Sequence, residues 1–120
     1  MKLTTHFNVE EFLSDDGTEE MSRPFIYKLE AARVIAGVPF LITSGYRTVE
    51  KAQALGNAGS PHCEGIAVDI ACVSARDCRK IVDAAIKVGF QGIEVCDRHI
   101  HLDDRVRSHG EGVLWSEKSK

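Results

Sequence analysis

Residues 60–72, which read SPHCEGIAVDIAC, are the stretch that decides the fold. From residue 65 onward the stretch is apolar except for Asp69, which predicts a buried strand. Strand alternation puts the smallest side chains on the same face as Asp69 and the larger apolar ones on the other. Because burying a lone carboxylate is costly, Asp69 is expected to face a cation or hydrogen-bond donors.

A second polar face occurs near the end of the chain, in residues 97–103, which read DRHIHLD. Period-2 alternation puts four polar side chains on one face of a strand, with Ile100 and Leu102 on the other. The four are Asp97, His99, His101 and Asp103. Two histidines and an aspartate on strands that can pair would form a three-ligand site with an open fourth position, which is how catalytic zinc is held.

Each half of this pattern also has an ordinary interpretation. Histidines in a His-x-His pair are often plain surface or core residues. An aspartate in a strand is often paired with an arginine. The local pattern therefore leaves metal binding and these structural roles open.

The rest of the chain mixes helices and strands. Helical structure is predicted over residues 7–37, with a turn at 15–17, and a strand over 38–43 with Pro39 at its start. A short helix over 49–55, a loop over 56–61 and a strand over 65–72 follow. Ser74 begins a helix that Gly89 ends, and residues 93–102 form one or two short strands. Residues 113–115 are expected to dock back on the domain.

These elements do not alternate regularly as βαβ units. The predicted fold class is therefore α+β, with a small antiparallel sheet packed against helices. The length of 120 residues predicts one domain over residues 1–120.

Composition excludes several classes of protein. Hydrophobic residues make up 43% and charged residues 28%, as in soluble globular proteins rather than disordered ones. The net charge of -3 reflects no basic surplus, so neither nucleic acid nor a membrane surface is an expected partner. No apolar run approaches the roughly 20 residues of a membrane span.

Neither a secretory leader nor a cysteine motif is visible. The N-terminus lacks the apolar segment of a leader, so synthesis in the cytoplasm is expected. The four cysteines include no C-x-x-C pair, which argues against a Cys-rich zinc site. In a reducing compartment they are expected to be free thiols. They are Cys63, Cys72, Cys78 and Cys96.

Four motifs, taken together and in order, resemble the zinc D-Ala-D-Ala metallopeptidases. Residues 60–69 are similar to the family's S-x-H-x-x-G-x-A-x-D motif, and residues 44–48, SGYRT, to its S-G-Y-R-[ST] segment. Residues 99–103 are similar to its closing H-x-H-x-D, and residues 6–12 to the start of the carboxypeptidase branch. The family includes D-Ala-D-Ala carboxypeptidases, dipeptidases and phage endolysins, and the Hedgehog signalling domain shares its fold.

This resemblance implies a set of site residues. Zinc would be bound by His62, Asp69 and His101. Arg47 would lie near the substrate and stabilise the carbonyl oxygen as it gains charge, with a structural ion pair as the alternative role. Ser60 would orient substrate or simply begin a turn.

The general base is where this sequence departs from the family. Many relatives carry an acid three residues before the last zinc histidine, whereas this chain has Arg98, which cannot act as a base. Asp97 is the first candidate, because alternation puts it on the face of His101, and Glu94 is the second. His99 would be a group beside the ligands, and a third possibility is that it handles the proton. Lys51 and Ala52 stand where the carboxypeptidase branch often has His-Asn, which bears on substrate specificity.

The expected function is that of a zinc peptidase acting on peptidoglycan stem peptides, most simply as a monomer. It would reach the cell wall if released, as a phage-type lysis or tail enzyme, or act on cytosolic peptides. One alternative is a non-catalytic zinc module that binds cell-wall peptides or a protein partner, and another is a structural domain that binds no metal.

Overall fold

The structure is a computed structural model that describes residues 1–56, 59–105 and the backbone of 113–116. It contains three helices and five strands in these ranges. In chain order they are a 3-10 turn at Val9–Phe12, α1 (Arg23–Ala36), β1 (Ile42–Ser44), α2 (Val49–Ala54), a second 3-10 turn at Pro61–Glu64, β2 (Ala67–Ala71), α3 (Ala75–Val88), β3 (Gly92–Val95), β4 (His99–Asp103) and β5 (Val113–Ser116).

The five strands form one sheet in the order β1-β2-β4-β3-β5. The first four are antiparallel to their neighbours, and β5 pairs with β3 in parallel. The predicted α+β class, with a small antiparallel sheet and helices, is therefore confirmed. The expected docking of residues 113–115 is also confirmed, as the edge strand β5.

Local sequence signals explain where the long helices begin and end. Ser22 and Ser74 cap the N-termini of α1 and α3, each accepting a backbone N–H of the first turn on its side chain. Gly37 and Gly89 end the same helices in the left-handed conformation. The prediction of α3 is confirmed at both ends.

The core lies on one face of the sheet and leaves the other face to polar residues. Apolar side chains of the three central strands point into it and are almost fully buried, namely Val68, Ile70, Ile93, Ile100 and Leu102. They belong to one buried cluster with residues of α1 and α3, including Phe25, Ile26, Leu29, Ile81 and Ala85. This arrangement follows the alternation that the sequence predicted for β2 and β4.

Several sequence-based boundaries differ from the structure. The first predicted helical region is split into a 3-10 turn and α1. The strand predicted over 38–43 begins only at Ile42. The predicted loop over 56–61 includes Asn57 and Ala58, which lie outside the described residues, and its end already belongs to the second 3-10 turn.

The prediction of free thiols is wrong for one pair of cysteines. Cys72 and Cys78 are joined as a disulfide, with their Cα atoms 5.5 Å apart. Cys72 follows β2 directly and Cys78 lies in the first turns of α3, so the short connection between these elements brings the two side chains together.

None of the helices in the described ranges has the length and apolar character needed to cross a membrane.

Candidate metal centre

Three side chains converge on the polar face of the sheet. Oδ1 of Asp69 lies 3.6 Å from Nε2 of His62 and 3.0 Å from Nδ1 of His101. One ligand atom from each residue lies within 4.8 Å of the other two. A tetrahedral zinc with bonds of about 2.0–2.1 Å would hold its ligand atoms about 3.3 Å apart, so the two short distances are those that a shared ion requires.

His62 is positioned by the second 3-10 turn. The hydroxyl of Ser60 caps this turn by accepting the backbone N–H of His62 at 3.2 Å, and Gly65 ends it with φ 70°. Nδ1 of the ring lies 2.8 Å from the carbonyl oxygen of Gly45, which can only accept. Nδ1 therefore carries the proton, and Nε2 is left as the ligand atom.

Gly45 allows this contact because it lies unusually close to another part of the backbone. A Cβ atom at this position would be 2.7 Å from the Cα of Phe12. The backbone N–H of the next residue, Tyr46, donates to the carbonyl of Phe12 at 2.9 Å. The first 3-10 turn therefore supports the carbonyl that orients His62.

Asp69 and His101 are neighbours in the sheet. They are register partners in the antiparallel pair of β2 and β4, so their side chains share one face. On the other side of the ring, Nε2 of His101 lies 2.7 Å from Oδ2 of the fully buried Asp103. When a metal is bound through Nδ1, Nε2 donates its proton to Asp103, as is common for metal-ligating histidines.

These contacts favour the charged forms of the groups involved. Burial opposes ionisation of Asp69, but hydrogen bonds from His101 and His62 outweigh it and lower the pKa of Asp69. Burial likewise opposes protonation of His101, but its hydrogen bonds to Asp103 and Asp69 raise its pKa to about 9. The pKa of Asp103 is lowered by His101 and by the Arg105 backbone, against the effect of burial. The metal-free pocket thus holds a proton where a cation would bind.

One line of polar side chains crosses four strands at the level of the ligands. Ser44 is paired in register with Asp69, Asp69 with His101, and His101 with Glu94. We call these four residues the polar row. Arg47 lies at one end of the row, where its Nη2 donates to Oγ of Ser44 at 3.1 Å. The buried Glu94 lies at the other end, so a cation and a carboxylate flank the ligands.

The other predicted site residues lie at the edges of this arrangement. Asp97 is exposed in the turn between β3 and β4 and lies outside the strand whose alternation was expected to carry it. His99 begins β4, is half-buried, and shares the face of His101. Ser60 caps a turn, one of its two expected roles. Its role in substrate binding stays a prediction.

Sequence reasoning missed two contributors to this centre. The carbonyl of Gly45 could not be found from a side-chain pattern, because the contact is made by the backbone. Asp103 was assigned to the correct face but was given no role. Its spacing of two residues from His101 was the available signal, since alternation puts both on one face.

The donor set suits a divalent cation, and zinc in particular. Two neutral imidazoles and a carboxylate are the ligands of many catalytic zinc sites, which keep a fourth position open. Small residues flank Asp103 in the sheet, since its register partners are Ala67 and Gly92. This leaves space for the charged groups.

The match to a known protein family agrees with this geometry. A family model described as Peptidase M15 matches residues 5–103, a span that includes every residue of the polar row. No curated protein sequence gives a significant match. Since the family model covers most of the chain and all three ligand positions, the chain belongs to the peptidase M15 family of zinc-dependent peptidases.

Proposed function

We propose that this protein hydrolyses D-Ala-D-Ala or related amide bonds in peptidoglycan stem peptides. The observation that carries the peptidase chemistry is the polar row, with Arg47 at one end and Glu94 at the other. The choice of substrate class rests on the four ordered motifs that resemble the D-Ala-D-Ala metallopeptidases.

Zinc held by His62, Asp69 and His101 would supply a Lewis acid that acidifies water and polarises the peptide carbonyl. The chain's own residues would handle the proton and the developing charge. Glu94 accepts a proton as water adds to the carbonyl carbon, and it returns the proton to the leaving amine as the C–N bond breaks.

Glu94 is the general base in this proposal, ahead of Asp97. Glu94 is paired in register with His101 and is buried beside it. Asp97 lies three residues further along, in the exposed turn. A base must come within hydrogen-bond reach of the reacting water, directly or through one further water, which favours the residue on the strand.

Arg47 stabilises the oxyanion of the tetrahedral intermediate. A guanidinium held near the place where negative charge develops acts more strongly on the transition state than on the substrate. Its hydrogen bond to Ser44 orients the group towards the ligands.

The test is digestion of purified peptidoglycan, and of synthetic D-Ala-D-Ala peptides, by the zinc-loaded protein, with products identified by mass spectrometry. Release of D-Ala or of a shortened stem peptide is the expected result. His62→Ala should lose both bound zinc and cleavage. A metal-free His62→Ala protein that still cleaves would refute the proposal.

A non-catalytic zinc module remains the second candidate, because Arg98 occupies the position where many relatives carry the acid. One equivalent of bound zinc with no turnover of any stem peptide would favour it. Glu94, a carboxylate on the ligand face, is the observation that favours the enzyme.

A further inference from the structure

A cleft opens next to the metal centre and is not used by the chemistry above. It has a volume of about 130 Å³ and lies between residues 13–15, β1 with the segment after it, and α2. Gly45 lines it, and the carbonyl of Gly45 is the group that orients His62. The cleft and the metal centre therefore share a wall.

The lining carries an excess of positive charge. Arg47 and Lys51 both line the cleft, and Asp15 is the one acid among its lining residues. In the described part of the chain Arg47 forms no ion pair, and its side-chain contact is the hydrogen bond to the neutral hydroxyl of Ser44. A guanidinium offers five N–H donors, so most of them remain available to a ligand.

Lys51 already holds a carboxylate, but weakly. Its Nζ lies 2.8 Å from Oδ2 of Asp15, and the two side chains are 47% and 80% exposed. Ion pairs between exposed side chains contribute little stability, so another anion can displace Asp15 readily. The pair shows which chemical group this part of the cleft accepts.

We propose that this cleft binds a carboxylate of the peptide substrate between Arg47 and Lys51, and that Asp15 competes with it as an internal ligand. The inference rests on the proposed function. It makes Lys51 a specificity-determining residue that selects peptides with a free carboxylate close to the scissile amide.

The position of Arg47 explains why the carboxylate must be close to that bond. Through Ser44, Arg47 contacts the polar row, in which Ser44 is paired with the ligand Asp69. A group bound between Arg47 and Lys51 is therefore anchored beside the metal centre. Leu13 and Leu55 also line the cleft and give a methyl-bearing residue an apolar surface to contact.

Two carboxylates of a stem peptide could be the ligand: the C-terminal one and the free α-carboxylate of the D-Glu residue. The probe is the synthetic pentapeptide L-Ala-D-Glu-L-Lys-D-Ala-D-Ala, prepared with each carboxylate either free or amidated. Calorimetry measures binding to zinc-free and zinc-loaded protein, and KM and kcat are measured where cleavage occurs. The carboxylate whose amidation weakens binding is the one recognised.

For the recognised carboxylate, amidation should weaken binding roughly five- to tenfold in the wild type, as expected for a charge-assisted contact that is partly exposed. Lys51→Gln should abolish this preference, and Lys51→Arg should keep it. Asp15→Asn should strengthen binding of the free acid. Lys87→Gln on α3 and Glu50→Gln on α2, both exposed residues outside the cleft, change net charge equally and should leave binding unchanged.

The outcomes separate this inference from the proposed function. Preferential binding of the free acid without cleavage would support the cleft and contradict the peptidase proposal. Cleavage with equal binding of free and amidated peptides would contradict the cleft alone. A Lys51→Gln variant that keeps the wild-type preference would also overturn it.

Discussion

Asp103 holds the outer nitrogen of His101, since its Oδ2 lies 2.7 Å from Nε2 of the ring. Asp103 is fully buried, with Ala67 and Gly92 as its neighbours in the sheet. The ring is thereby oriented with Nδ1 towards Asp69. The chain thus specifies the tautomer of a metal ligand through a residue two positions away.

Removing this contact should weaken zinc binding. Asp103→Ala should lower zinc affinity roughly 10- to 100-fold, as is typical when the partner of a metal-bound histidine is lost. Asp103→Asn should have a smaller effect, because its amide oxygen can still accept the Nε2–H bond. Competition with a chelating dye measures both affinities. Wild-type affinity in the alanine variant would contradict this role.

Glu94→Gln should separate metal binding from catalysis. The amide keeps the size of the side chain but cannot accept a proton from water, so kcat should fall about 10²- to 10⁴-fold with zinc still bound. Asp97→Asn is the matched control in the neighbouring turn, and its kcat should stay close to that of the wild type. The reverse pattern, with Asp97→Asn inactive, would assign the base to Asp97 instead.

Protons and zinc should compete for His101. Its hydrogen bonds to Asp103 and Asp69 raise its pKa from 6.5 to about 9 in the metal-free protein, despite burial. Zinc displaces this proton, so its affinity should rise about tenfold per pH unit between pH 6.5 and 9 from this group alone. Zinc titrations across this range provide the measurement. A pH-independent affinity would contradict the proton exchange.

The same shift predicts the pH dependence of the metal-free protein's stability. A raised folded-state pKa means that protonated His101 stabilises the fold fully below about pH 6.5. This contribution should be lost as the pH rises towards 9, and urea denaturation of the metal-free protein should detect the loss. His101→Gln should flatten the profile in this window.

Gly45→Ala should disturb the centre without touching a ligand. The new Cβ would lie 2.7 Å from the Cα of Phe12, so backbone must shift, at a cost of about 1–3 kcal/mol in unfolding free energy. The displaced carbonyl should also weaken zinc binding through His62. Gly17→Ala is the comparison: its φ of 81° is strained for alanine, but a Cβ there has open space. That variant should keep wild-type zinc affinity.

Alternation sufficed to predict one side of the metal centre. Asp69 and His101 each lie in a strand whose opposite face is apolar, and their orientation follows from a period of two. His62 lies on a 3-10 turn, where no such period applies. Its approach to Asp69 depends on how the turn packs under Gly45, so the local pattern could not predict it and only the resemblance to the family did.

The position of Glu94 depends on the length of a hairpin turn. Cys96 donates to the carbonyl of His99 at 2.9 Å, so Asp97 and Arg98 form a two-residue connection. That connection pairs Glu94 with His101. The residues Asp-Arg carry none of the glycine or asparagine signals that mark such hairpins, and extending the strand pattern through the turn therefore favoured Asp97.

The most direct test of the metal centre is a crystal structure of the zinc-loaded protein with anomalous data collected at the zinc edge. The predicted result is one peak, about 2.0–2.2 Å from Nε2 of His62, a carboxylate oxygen of Asp69 and Nδ1 of His101. No peak among these three atoms, in a protein exposed to one equivalent of zinc, would contradict the assignment.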